Sequence, residues 1–188
     1  MIKRWNYFLS KDSYNDRILD LIEDRKLLSA VKILQSLLLM SFAVMAHAAA
    51  PDVQARDTAG NVHNVNEYIG KGKWTVVVFW AHDCHICNQE IQQMTFFQDG
   101  HAEKDATVLG ISMDGFDRVA KSKAFIERHE LNFPNLLITA NQREFLKFGG
   151  GGYVGTPTFY IYNPAGTLLA KNIGPVSPEE IEAFIKSN

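Results

Sequence analysis

From Trp74 to Trp80 the chain reads WTVVVFW, a run in which Thr75 is the one polar residue. Such a stretch of β-branched and aromatic side chains predicts a central strand covered on both faces, because a strand with one wet face alternates apolar and polar positions. The pattern then changes period. Between Cys84 and Gln98 the residues Cys87, Ile91, Met94 and Thr95 fall at helical spacing, so a helix is expected to open at the cysteine pair. Thr107–Ser112 (TVLGIS) reads as a second strand, and Arg118–Glu130 as a helix with Val119, Phe125, Ile126 and His129 at roughly helical intervals. Asn132–Thr139, with Pro134 and the apolar run Leu136–Ile138, predicts a further strand, and Gln142–Phe148 a short helix stopped by the glycines 149–152.

Thr158–Tyr162 and Thr167–Lys171 flank Asn163-Pro164-Ala165-Gly166, a hairpin signature. A last helix starts at Ser177, which caps it, with Pro178 at the first helical position and Glu180 at the capping-box position. Ahead of the central run, 51–70 reads as short extended pieces around a turn at Asp57–Gly60, with a helical turn at Asn66–Ile69. The order β-α-β-α-β-α-β-β-α predicts an α/β domain with a mixed central sheet flanked by helices over residues 51–188.

The segment before that domain has a different character. Val31–Ala50 carries Lys32, an apolar stretch from Leu37 to Ala46 and the small-residue site Ala46-His47-Ala48, the order of a secretory signal peptide. An uncleaved N-terminal membrane anchor is the competing reading, although the stretch is short for a span, which takes about 20 apolar residues. Either way the domain is expected outside the cytoplasm, periplasmic or exported, soluble after cleavage or tethered to the inner membrane. Residues 1–30 form a charged extension whose Asp20, Glu23 and Asp24 suit no ordinary leader. They fit either a translation start further in, at Val31 for example, or a short amphipathic cytoplasmic helix with Ile18, Leu19, Leu21 and Ile22 as its apolar side.

Composition narrows the partners. With 188 residues, 46% of them hydrophobic, the chain holds enough apolar material for one packed domain. A formal net charge of -2 without a long basic run argues against nucleic acid as a partner. The two cysteines are three positions apart, too close to staple a small secreted scaffold, so they are a reactive pair or half a metal site.

Cys84-His85-Ile86-Cys87 follows the buried run after only Ala81-His82-Asp83 and opens a helix, where unpaired N–H groups stabilise a thiolate. Cys84 is expected to be the exposed attacking sulfur and Cys87 the one that resolves the mixed disulfide. Asp83, His85 and Ile86 are the neighbours placed to tune the couple. His85 would lower the thiolate pKa and favour an oxidant; Asp83 opposes it, so the direction of electron flow stays open. A zinc reading is weakened by the lack of a second CxxC.

The segment FWAHDCHIC resembles the FWAxWCxxC active-site segment of the thioredoxin superfamily. Gly155-Thr156-Pro157-Thr158 resembles its Gly-x-Pro-Thr segment, which carries a cis-proline facing the dithiol. The resemblance implies a thioredoxin-like fold, no cofactor beyond a redox-active Cys84–Cys87 disulfide, no metal, and a substrate-binding lip of Trp80, Thr156 and Pro157. Val78 stands where cytoplasmic thioredoxins carry a buried aspartate. Glu90, three residues after Cys87, matches a glutamate of the exported TlpA and ResA-like reductases and is the candidate base for Cys87. That family also carries a central insertion, matched here by Gly100–Leu136. The proline it commonly has two residues after the glutamate is replaced by Gln92, so a proline kink is not carried over.

Three activities follow. The first is a reductase of client disulfides, such as those of the haem-binding cysteines of apocytochromes c, supplied by a membrane or periplasmic thiol donor. The second is a disulfide-forming oxidant acting on client thiols. The third is a copper-binding thioredoxin-like module using Cys84, Cys87 and His82 or His85, since two thiolates with an imidazole suit Cu(I). A peroxiredoxin is disfavoured because Ala81 stands where its Thr or Ser would precede the reactive cysteine.

Overall fold

A computed structural model of the chain describes residues 50–139 and 141–188. The expected N-terminal extension and, but for Ala50, the expected signal peptide or anchor lie outside the described residues. No helix among the described residues is long and apolar enough to cross a membrane.

The chain enters through a hairpin, β1 (Gln54–Arg56) and β2 (Val62–Asn64), paired antiparallel. Asp57 turns it: its Oδ1 accepts the Ala59 and Asn61 N–H groups, both at 2.9 Å, as expected of an aspartate opening a turn. A 3₁₀ turn at Val65–Glu67, one residue ahead of the expected Asn66–Ile69, leads into β3 (Trp74–Trp80). After β3 come α1 (His85–Glu90), α2 (Gln93–His101) and β4 (Ala106–Ser112). Then follow α3 (Val119–Arg128), β5 (Asn135–Leu137) and α4 (Gln142–Leu146). The hairpin β6 (Thr158–Tyr162) and β7 (Leu168–Ile173) and the helix α5 (Pro178–Ser187) complete the domain.

The strands form a seven-stranded sheet in the order β2-β1-β5-β4-β3-β6-β7. β3 lies inside it, parallel to β4 along its whole length and antiparallel to β6. Its side chains split between two cores. Val77 and Phe79 point to one face with Leu109, Phe145, Phe148 and Tyr160. Val76, Val78 and Trp80 point to the other with Met94, Phe97, Phe125 and Ile181. This is the mixed sheet covered on both sides that the apolar run at Trp74–Trp80 predicts.

The segment expected to be one helix from Cys84 to Gln98 is two. The ladder breaks at Ile91–Gln92 with no proline there. Met94 and Thr95 instead bond three residues back, to the Ile91 and Gln92 carbonyls, both at 3.0 Å, and the Thr95 hydroxyl adds a 2.7 Å bond to Gln92 O. A side-chain hydroxyl that claims a backbone carbonyl is a recognised cause of bending. On α3 the buried side is set by Ser122 and Phe125, while Val119 is left exposed. The capping box of α5 forms as expected: Ser177 Oγ accepts the Glu180 N–H and Glu180 Oε2 accepts the Ser177 N–H.

Gly110, buried in the middle of β4, marks where β3 and β5 crowd it. A Cβ there would collide with the Asn135 carboxamide oxygen and sit 3.0 Å from Trp80 Nε1. Gly110→Ala is therefore expected to cost about 2–3 kcal/mol by overpacking. The measurement is the urea midpoint at unchanged m; a shift equivalent to less than about 0.5 kcal/mol would mean that Asn135 moves aside freely.

Candidate active site

The buried β3 ends at Trp80, and the chain must turn at once to reach α1. It does so through Ala81-His82-Asp83-Cys84, closed by the Cys84 N–H on Ala81 O at 3.2 Å. Cys84 and Cys87 are joined as a disulfide. Cys84 is the N-cap of α1 with an extended backbone, and the Cys87 N–H points at its Sγ at 3.1 Å. Cys84 is half-buried, whereas Cys87 is only 1% exposed, packed in the core with Val78 and Trp80. One sulfur can be reached from outside and the other cannot.

Across from the pair, the Thr156–Pro157 peptide bond is cis. Thr156 O lies 3.4 Å from Cys84 Sγ. In the disulfide that sulfur has no proton to donate, so the approach is a van der Waals contact; in the dithiol it places a carbonyl acceptor beside the Cys84 thiol. Gly155 and Thr156 are half-buried and Pro157 buried, while Val154 just before them is exposed.

The other expected site residues divide. Asp83 and His85 are exposed, and Ile86 is 40% exposed, a small apolar surface next to Cys84. Glu90 is half-buried at the end of α1, and its Oε2 accepts from Gln93 Nε2 at 2.6 Å. Trp80 needs correcting. Expected on the substrate-binding lip, it is 0% exposed, stacked on Phe125 at 4.4 Å with its Nε1–H donating to Asn135 Oδ1 at 3.1 Å. Both needs of an indole, a ring partner and an acceptor, are met inside the core, so it supports the site from below.

His82 is tied down rather than free. Its Nδ1 donates to Asp114 Oδ1 at 2.7 Å and its backbone N–H reaches both Asp114 oxygens at 3.2 Å. Asp114 follows β4, is buried, and also accepts from the Ser112 and Ser122 hydroxyls at 2.9 and 2.8 Å. Burial pushes its carboxyl up, but hydrogen bonds from His82, Ser122 and Ser112 outweigh that and hold it below the usual carboxylate range. Ligand atoms of His82, Asp83 and Asp114 lie within 4.8 Å of one another, yet the Asp114 oxygens are already taken up by protein donors. Sequence reasoning missed Asp114. The signal was an acidic residue directly after an apolar parallel strand, at the sheet end where the neighbouring strand delivers the cysteines.

Asp114 generates a signed pH dependence. Its lowered pKa contributes stability that is present above the ordinary aspartate value and lost as pH falls through the folded value. Asp114→Asn is expected to cost about 2–3 kcal/mol at neutral pH, the range for breaking buried bonds to a charged acceptor. The deficit relative to the parent should shrink as pH drops below about 4, where the unfolded carboxylate begins to bind protons. Urea unfolding from pH 7 down to pH 3 checks it; a deficit that stays constant would deny the carboxylate this role.

Comparison with known proteins agrees with this geometry. The model of the AhpC/TSA family matches residues 46–171. The chain is 25% identical over 137 residues to the thiol-disulfide oxidoreductase ResA of Bacillus thuringiensis, covering 73% of this chain and 75% of ResA. It is 27% identical over 138 residues to the thioredoxin-like protein YneN of Bacillus subtilis, covering 71% and 74%. In fold it is similar to a thiol:disulfide interchange protein of Chlorobium tepidum, with a TM-score of 0.61 at 24% identity over 74% of this chain and 94% of that one. The exposed lipoprotein thioredoxin Etrx1 of Streptococcus pneumoniae is also similar, with a TM-score of 0.59 at 22% identity over 73% and 99%. With the family model covering most of the described domain and the cysteine pair joined at the start of α1, the chain belongs to the AhpC/TSA family and is a thioredoxin-like thiol-disulfide oxidoreductase.

Proposed function

We propose that the protein is an exported reductase of client disulfides, of the kind that keeps the haem-binding cysteines of apocytochromes c reduced. The observation that carries the reading is the unequal burial of the two sulfurs. The Cys84 thiolate attacks one sulfur of the client disulfide, forming a mixed disulfide and releasing the other client sulfur as a thiol. Cys87 then loses its proton and attacks Cys84 Sγ, which releases the second client thiol and leaves the Cys84–Cys87 disulfide. Glu90, half-buried three residues beyond Cys87, is the proposed acceptor of that proton. Two electrons pass to the client, and a thiol donor at or near the membrane returns them.

The proposed direction is supported by how little in the described surroundings stabilises the reduced pair, set against the opposite pull of His85. Strong oxidants of this chemistry hold their reduced form in a specially favourable setting. Here the described residues offer the Cys84 sulfur one N–H, that of Cys87, and the Asp83 carboxylate next in sequence disfavours a second negative charge. Cys87 sits among apolar side chains, which favour its neutral thiol. Export rests on the leader within Val31–Ala50.

A redox titration of the Cys84/Cys87 couple is expected to give a potential near or below about -230 mV; a value near about -120 mV would make the protein an oxidant instead. Cys84→Ser should abolish insulin reduction, and Cys87→Ser should accumulate clients as mixed disulfides through Cys84. Reduction that survives Cys84→Ser would sink the reading.

A further inference from the structure

The turn that presents Cys84 is held from two sides. Asp114 takes the N–H and ring of His82 from the β4 side. From the helix side, Asn88 on α1 reaches back over the turn: its Nδ2 donates to His82 O at 3.1 Å and to Cys84 O at 2.9 Å. Cys84 O also accepts the Asn88 backbone N–H at 3.1 Å, the first bond of the helix, so one residue holds the cap carbonyl through both backbone and side chain.

An amide does this only in one orientation, and a second residue sets it. Asn88 Oδ1 faces His129 Nε2 at 3.1 Å, 41 residues further along the chain at the C-terminal end of α3. Burial first, then the neighbouring Arg128 charge, hold the imidazole below its ordinary pKa, which favours a neutral ring. A neutral ring with its proton on Nε2 donates to Oδ1 and leaves Nδ2 facing the two carbonyls; the reversed amide would set an oxygen against them. The ring itself is braced, 4.4 Å from Phe125, which stacks on Trp80. The network thus joins α3 and the end of β3 to the cap of α1.

We propose that Asn88 and His129 are positioning residues for the nucleophile: by fixing the Cys84 carbonyl they hold the first turn of α1 so that the Cys87 N–H points at Cys84 Sγ. This rests on Cys84 being the attacking sulfur. When the clamp is removed the turn frays, the N–H is no longer aligned, and the thiolate is less stabilised.

The test is the rate of alkylation by iodoacetamide against pH in the reduced full chain, with the labelled cysteine located by peptide mass spectrometry. Asn88→Ala is expected to move the Cys84 profile to higher pH, with about three- to tenfold less thiolate at neutral pH, the equivalent of losing one cap interaction. His129→Leu should give a smaller shift in the same direction, and His129→Gln, which keeps an N–H donor, should restore the parent profile. Asn132→Ala serves as the control, since its Nδ2 bonds to Thr95 O and Asp99 Oδ1 tie α2 to the loop before β5, away from the cap. It should lower the thermal midpoint without moving the profile. An unchanged profile in both Asn88→Ala and His129→Leu overturns the proposal, as does an equal shift in Asn132→Ala. Labelling at Cys87 in place of Cys84 overturns the assignment of the nucleophile itself, and the proposal with it.

Discussion

The arrangement depends on β3 being buried on both faces. A strand with Val76–Trp80 closed off from water cannot display chemistry along its length, so any reactive group must sit where the strand leaves the sheet. The turn Ala81–Cys84 is that exit. Because β4 runs parallel to β3 and in register with it, the end of β4 arrives at the same level, and Asp114 meets His82 there. Because β6 runs antiparallel to β3, its beginning arrives there too, bringing Thr156 to within 3.4 Å of Cys84 Sγ. Three segments far apart in sequence converge at one end of the sheet as a consequence of strand direction.

The same burial divides the labour between the sulfurs. Cys84 precedes the helix and stays reachable; Cys87, one turn further, faces inward with Val78 and Trp80. An attacking thiolate needs access and a donor, while a resolving thiol needs only proximity and a route for its proton. The break between α1 and α2 belongs to this geometry. It ends α1 just after Glu90 and redirects Met94 and Phe97 into the core beside β3.

Much of this was legible from residue patterns, because the relevant forces are local or periodic. The apolar run of β3, the Ser177-Pro178-Glu180 start of α5 and the spacing of Cys84 and Cys87 each declare an element through its own side chains. Trp80 was misplaced because an aromatic at the end of a strand looks the same in sequence whether it forms a lip or a floor. Its stacking on Phe125 and its bond to Asn135 come from residues 45 and 55 positions away. The helix break is not legible in the sequence because its cause is a threonine hydroxyl bonding a carbonyl rather than a proline.

The linear order of residues sets the chemistry available: two thiols at helical spacing behind a buried strand, with a proline segment of the right kind further along. Those features depend on residue type and near spacing, which a linear chain carries in full. Packing sets which sulfur is reachable, ties His82 to Asp114, and brings Asn88 and His129 together at the active turn. Burial and hydrogen-bond partnership are properties of packed surroundings, and they exist only once strands from distant parts of the chain have been laid side by side.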